Sequence, residues 1–142
     1  MNVPLPRVYG YLWDVAAQAR CIPGLDRCEP LGDDTFRFVY AKRQYGPVSM
    51  APRYTTRFEG NGTDRIFARA TGAADDNTLG SGTLRLQAKG ESATRIVMHQ
   101  KIIPDTPVPR LAQGLIRSFV EREATEAVDL YLTNVKRALE QS

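Results

Sequence analysis

The sequence predicts an α+β fold in which a curved antiparallel sheet wraps one long C-terminal helix. Three observations carry it: runs of alternating residues between positions 28 and 104, a proline cluster that ends them, and a helical apolar period from there to the C-terminus. The 142 residues, 42% hydrophobic and 25% charged, suit a single domain over 1–142 with its own core. A domain of this size buries roughly 68–70% of the surface its unfolded chain exposes, so neither disulfides nor a structural metal is required.

Pro6 opens a first helix with apolar residues at Val8, Tyr9, Leu12, Trp13 and Ala16, and Trp13 is expected to be largely buried on its stripe. A second short helical piece over 14–20 should end before Ile22-Pro23-Gly24, because the residue before proline leaves the α region. A weak strand is expected at Arg27–Leu31, before the Gly32-Asp33-Asp34 turn. Five clearer strands follow. Phe36, Phe38 and Tyr40 share one face of 35–41, and Tyr54, Thr56 and Phe58 share one face of 53–59. Past the Gly60-Asn61-Gly62 turn, Ile66, Ala68 and Ala70 alternate with Arg65 and Arg69. Leu84, Leu86 and Ala88 mark 82–89, and Ile96, Met98, Gln100 and Ile102 mark 93–103.

Pro104, Pro107 and Pro109 then break the sheet, and one helix is expected from about Val108 to the end. Ala112, Ile116, Val120, Ala124, Val128, Tyr131, Val135 and Leu139 form its stripe, widened in the first half by Leu111, Leu115 and Phe119. A sheet apolar on one face needs such a cover, which makes the architecture a helix-grip.

Leu12-Trp13-Asp14, then Cys21-Ile22-Pro23-Gly24-Leu25 and a Gly-Asp turn into a strand, closely resemble the start of one branch of the SRPBCC, or START-like, superfamily. That branch is typified by the G-type subunit of carbon monoxide dehydrogenase, and the superfamily also holds polyketide cyclases. Gly80-Ser81-Gly82-Thr83 and Ala93-Thr94-Arg95-Ile96 add to the likeness, which covers residues 3 to 140. The resemblance implies a helix-grip (Bet v 1-like) fold, and functions from carriage of apolar molecules to aromatase and cyclase chemistry. Members begin with a full first strand. Here only Met1-Asn2-Val3 precede Pro4, so that strand is expected to be truncated. In the helix-grip order it pairs beside the last strand, so Thr94–Ile103 would be left as an open edge that invites a homodimer.

Basic and acidic residues number 19 and 16, and the basic ones form no run, so nucleic acid is not expected as a partner. No window reaches the ~18 consecutive apolar residues of a membrane span, which points to a cytoplasmic protein with peripheral membrane contact left open. His99 falls on the strand face opposite Met98 and reads as a solvated residue, leaving a Ser-His pair without support. Cys21 and Cys28 read as structural thiols. With one histidine they cannot fill a closed zinc site, and no metal or cofactor is expected. Asp75-Asp76 reads as a solvated turn, since a calcium loop needs a central glycine and a twelfth-position glutamate.

Apolar binding is the remaining chemistry. Phe36, Phe38, Tyr40, Tyr54, Thr56, Phe58, Leu84, Leu86, Met98 and Gln100 of the sheet, with Leu111, Leu115 and Phe119 of the helix, are expected to line a cavity. Small and polar residues among large aromatics leave room and supply hydrogen-bonding points. The expected function is binding of a lipid or polyketide-like molecule, with the helix as gate. The rival is a cyclase or dehydrase in which Tyr40, Tyr54 and Gln100 orient a substrate and Arg53 stabilises an enolate. The third is an assembly module for a larger enzyme, as the resemblance implies.

Overall fold

The computed structural model describes residues 1–45, 48–104 and 110–141, and at 45, 48, 50, 104, 110–113, 115–117, 119 and 120 the backbone alone. Two helices, α1 (Leu5–Trp13) and α2 (Val15–Ala19), precede β1 (Leu25–Gly32) and β2 (Thr35–Tyr40). A small ribbon follows, β3 (Arg43–Tyr45) and β4 (Val48–Met50). Then come β5 (Arg53–Gly60), β6 (Arg65–Ala70), β7 (Thr78–Ala88), β8 (Thr94–Pro104) and the 31-residue α3 (Arg110–Glu140).

The main sheet is antiparallel with six strands in the order β1-β2-β5-β6-β7-β8, so β1 and β8 are its edges. This is the helix-grip arrangement. Its register puts Phe38 opposite Tyr54, Phe58 opposite Ala68, Ile66 opposite Leu84 and Leu84 opposite Met98, which aligns the inward residues of neighbouring strands. Met1 touches the edge: its amino group donates to the Thr94 carbonyl at 2.9 Å, and the Thr94 amide donates back to the Met1 carbonyl at 3.0 Å.

The second helical piece expected over 14–20 is α2, capped by the Asp14 carboxylate, which accepts from the Ala17 amide at 3.2 Å. Three elements differ from the sequence expectation. The weak strand at 27–31 is a full strand, joined to β2 through Asp33 and Asp34. Both of these sit at positive φ (51° and 55°), as a two-residue hairpin requires. β7 begins at Thr78 rather than 82, because Thr78–Ser81 pair with Pro104–Lys101 of β8. The ribbon β3-β4 was not expected, since strands of three residues carry too few alternations to read.

The core lies between the concave face of the sheet and the helices. Val3, Val8, Leu12, Ile66 and Val135 have at most 1% exposure, and Tyr131 and Leu139 are also buried. Trp13 is only partly buried. It stacks on Tyr9 (6.3 Å, 9° between planes) and closes on the backbone of Gly60, where an added Cβ would lie 3.0 Å from the indole. Val8 and Leu12 fill the centre of the stripe, and the indole lies along its margin.

Candidate functional site

A cavity of about 110 Å³ lies inside the sheet, walled by β2, β5, β6, β7, β8, the α2–β1 turn and the middle of α3. Its aromatic wall is a chain of rings. Phe38 stacks on Tyr54 at 5.3 Å, Phe58 tilts against Phe38 at 6.1 Å, and Tyr40 lies 5.8 Å from Tyr54. Phe38 and Tyr54 are direct partners across β2 and β5, and strand alternation sets Tyr40 and Phe58 on the same face. Ala68, paired with Gly82 across β6 and β7, supplies the hollow that a larger residue would occupy.

Polar groups break the apolar wall, and three sets of them are tied by hydrogen bonds. The Tyr40 and Tyr54 hydroxyls hydrogen-bond each other at 2.9 Å. Burial pushes the Tyr54 phenol well above its ordinary value, and the Tyr40 hydroxyl beside it adds to the shift. Thr56 donates to the Gly80 carbonyl at 3.1 Å, which draws the start of β7 onto β5. Tyr131 of α3 donates to the amide oxygen of the buried Gln18, whose nitrogen donates to the Leu12 carbonyl at 3.1 Å. Burial raises the Tyr131 phenol as well, so the Tyr54 and Tyr131 hydroxyls stay protonated and act as hydrogen-bonding groups rather than bases.

Of the expected lining residues, Phe38, Tyr40, Tyr54, Thr56, Phe58, Leu84, Met98 and Gln100 border the cavity. Phe36 and Leu86 do not. Phe36 packs edge-on against Phe58 at 5.9 Å, one ring removed, and Leu86 is buried in the core on β7, the strand against which α1 packs. The side chains of Leu111, Leu115 and Phe119 lie outside the described residues. The described part of α3 contributes Ala127, Val128 and Tyr131 instead, from the second half of the helix. Gln18, Ile22 and Pro23 were missed as wall residues. The signal for Gln18 was a lone amide on an otherwise apolar short helix. Ala70 and Ala88 share the inward parity but are exposed.

Among the described residues no three His, Cys, Asp or Glu side chains gather as a metal site, and none of the cavity's lining residues is a carboxylate or a lysine. Cys21 and Cys28 are free thiols, and burial pushes the Cys28 thiol above its ordinary value. Asp75 and Asp76 are not equally solvated: the Asp76 carboxylate is only 3% exposed, 3.9 Å from the Arg37 guanidinium. Arg53 spends its guanidinium on the Asp75 carbonyl. No described helix is long and apolar enough to cross a membrane.

No family model matches the sequence, and no curated protein matches it significantly. Solved structures do match. TTHA0849 from Thermus thermophilus superposes with a TM-score of 0.75 at 18% identity, covering 99% of this chain and 92% of that one. The Zhui aromatase/cyclase from Streptomyces sp. R1128 gives 0.65 at 17% identity, over 96% and 88%. Human STARD10 gives 0.56 at 14% identity, over 95% and 60%. At these identities the likeness is one of fold, and the fold is that of the SRPBCC/START-like helix-grip proteins.

Proposed function

From the START-like helix-grip fold we propose that this protein binds a hydrophobic or amphipathic small molecule, lipid- or polyketide-like, between the sheet and α3. The observation that carries this reading is the cavity itself: about 110 Å³, walled by Phe38, Tyr54 and Phe58, with hydroxyls at Tyr40, Thr56 and Tyr131. A dry cavity of roughly 150 Å³ takes up benzene. This one therefore suits a single ring or a short alkyl segment, and a longer chain requires α3 to stand farther from the sheet. The polar groups give the occupant an orientation, as a few placed donors do in most small-molecule pockets.

The cyclase or dehydrase reading draws on the aromatase/cyclase neighbour. It needs a group in the cavity that gives up a proton near neutral pH. Tyr54 and Tyr131 are shifted the opposite way, and His99, the histidine that borders the cavity, is exposed on an outward strand position. Carriage is the better-supported function.

Native mass spectrometry of the purified protein, followed by extraction, tests the proposal. A reproducible adduct whose extract is an apolar compound with one or more polar substituents is expected. A protein that arrives empty and takes up no aromatic or acyl probe overturns it.

A further inference from the structure

The outward face of the sheet sets like charges opposite each other. Arg57 of β5 is the direct partner of Arg69 of β6, and Arg65 of β6 is the direct partner of Arg85 of β7. All four are exposed. Directly opposed side chains stand about 4.5–5.5 Å apart at Cβ, where like charges destabilise a sheet. Arg95 and Lys101 of β8 lie on the same face, as partners of Gln87 and Ser81. Of the exposed outward positions in β5 to β8, six are thus Arg or Lys and one, Glu59, is acidic; Glu59 pairs with Arg69 at 3.3 Å. That leaves this face more positive than the whole chain, whose net charge is +3, so the remainder of the molecule is net acidic. Folding gains nothing from gathering these cations.

A groove of about 640 Å³ reaches two of them, Arg69 of β6 and Lys101 of β8, beside Phe67, and shares Ala68, Ser81, Thr83, His99 and Gln100 with the cavity wall. Val97 is half-buried beside Arg85, and Ile103 on the same face is 42% exposed.

We infer that this sheet face docks on an anionic lipid surface, with a lipid phosphate seated in the groove between Arg69 and Lys101. Cations interleaved with aliphatic side chains suit the headgroup boundary of a bilayer, where basic residues are attracted to anionic lipid. A single-stranded nucleic acid needs several aromatic side chains on which bases stack, and the outward positions of these strands offer the half-buried Phe67 and the imidazole of His99. The groove shares part of its lining with the cavity wall, and the inference rests on the cations of this face rather than on what the cavity holds.

The test is cosedimentation of the full chain with phosphatidylcholine vesicles, with and without roughly 30% phosphatidylglycerol to supply the negative surface potential. Binding to the anionic vesicles alone is expected, with release as added salt screens the attraction. Arg65→Gln and Arg85→Gln should each weaken it about fivefold. Their urea midpoints should hold or rise, because each removes a repulsion. Glu59→Gln should tighten binding. Equal binding to both vesicle types, binding to neither, or full binding by the double Arg65→Gln/Arg85→Gln variant overturns the inference. A gel shift of a single-stranded oligonucleotide without vesicle binding overturns it in favour of nucleic acid.

Discussion

Tyr131 and Gln18, 113 positions apart in sequence, share a buried hydrogen bond that joins the wall of the cavity on α3 to the helix at the opposite end of the chain. Because Gln18 also holds the Leu12 carbonyl, three helices meet at one amide.

Tyr131→Phe removes the donor and leaves the Gln18 oxygen buried without a partner. The expected loss is about 1–3 kcal/mol, read as a lower urea midpoint at unchanged slope. A loss below ~0.5 kcal/mol would mean that water replaces the hydroxyl as partner of Gln18.

Ala68→Phe should fill the cavity. Overpacking a solid core costs about 1–3 kcal/mol, whereas filling a void of about 110 Å³ should cost less than ~1 kcal/mol while abolishing ligand uptake. Calorimetric titration of the variant beside the parent protein, with the extracted ligand, decides between the two.

Gly80→Ala should be far less tolerated. Its Cβ would stand 2.7 Å from two carbons of the Tyr54 ring, so the ring must shift and the Tyr40–Tyr54 hydrogen bond with it. We expect a loss of about 1–3 kcal/mol by urea titration. Gly62→Ala meets no atom within 4 Å and suffers only the strain of its positive φ of 80°.

Alkaline pH should unfold the protein through its tyrosines. Tyr54 and Tyr131 have phenols raised above the ordinary value of 10.0, and Tyr11, mainly by burial and also by its hydrogen bond to Cys21, is pushed up to about 12. The folded state therefore holds these protons more tightly than the unfolded one. Their stabilisation is complete below pH 10, the unfolded value, and is lost as pH rises toward the folded values. A spectrophotometric titration should show part of the six tyrosines ionising normally and the rest only together with loss of the fold. Smooth ionisation of all six before unfolding would contradict this.

Much of the fold was legible because one-sided strands alternate. Phe36-Arg37-Phe38 and Tyr54-Thr55-Thr56 state which residues point inward, and the register confirms it. Alternation says nothing about position along a strand, which is why Phe36 and Leu86 sit on the correct face yet beside the cavity rather than on it. Nor does a helical stripe tell which turn lies over a hollow. The apolar crowding at Leu111, Leu115 and Phe119 drew attention to the first half of α3, while Tyr131 farther along reaches the cavity. Gln18 and Trp13 show the same limit from the other side. A polar residue became part of the buried wall because two partners satisfied it, and a large aromatic packed at the margin of the core because Val8 and Leu12 had already filled the centre.

The placement of that aromatic determines what the protein can report about itself. Trp13 is the one tryptophan in the chain, stacked on Tyr9 and absent from the cavity wall. Its emission is thus a gauge of whether α1 remains docked on the β5–β6 turn, and a red shift on heating dates the detachment of that helix. A molecule entering the cavity meets phenol rings instead. Occupancy should be read in quenching of tyrosine emission or in near-ultraviolet dichroism, and a titration followed at the tryptophan band alone would record a silent binder as no binder at all.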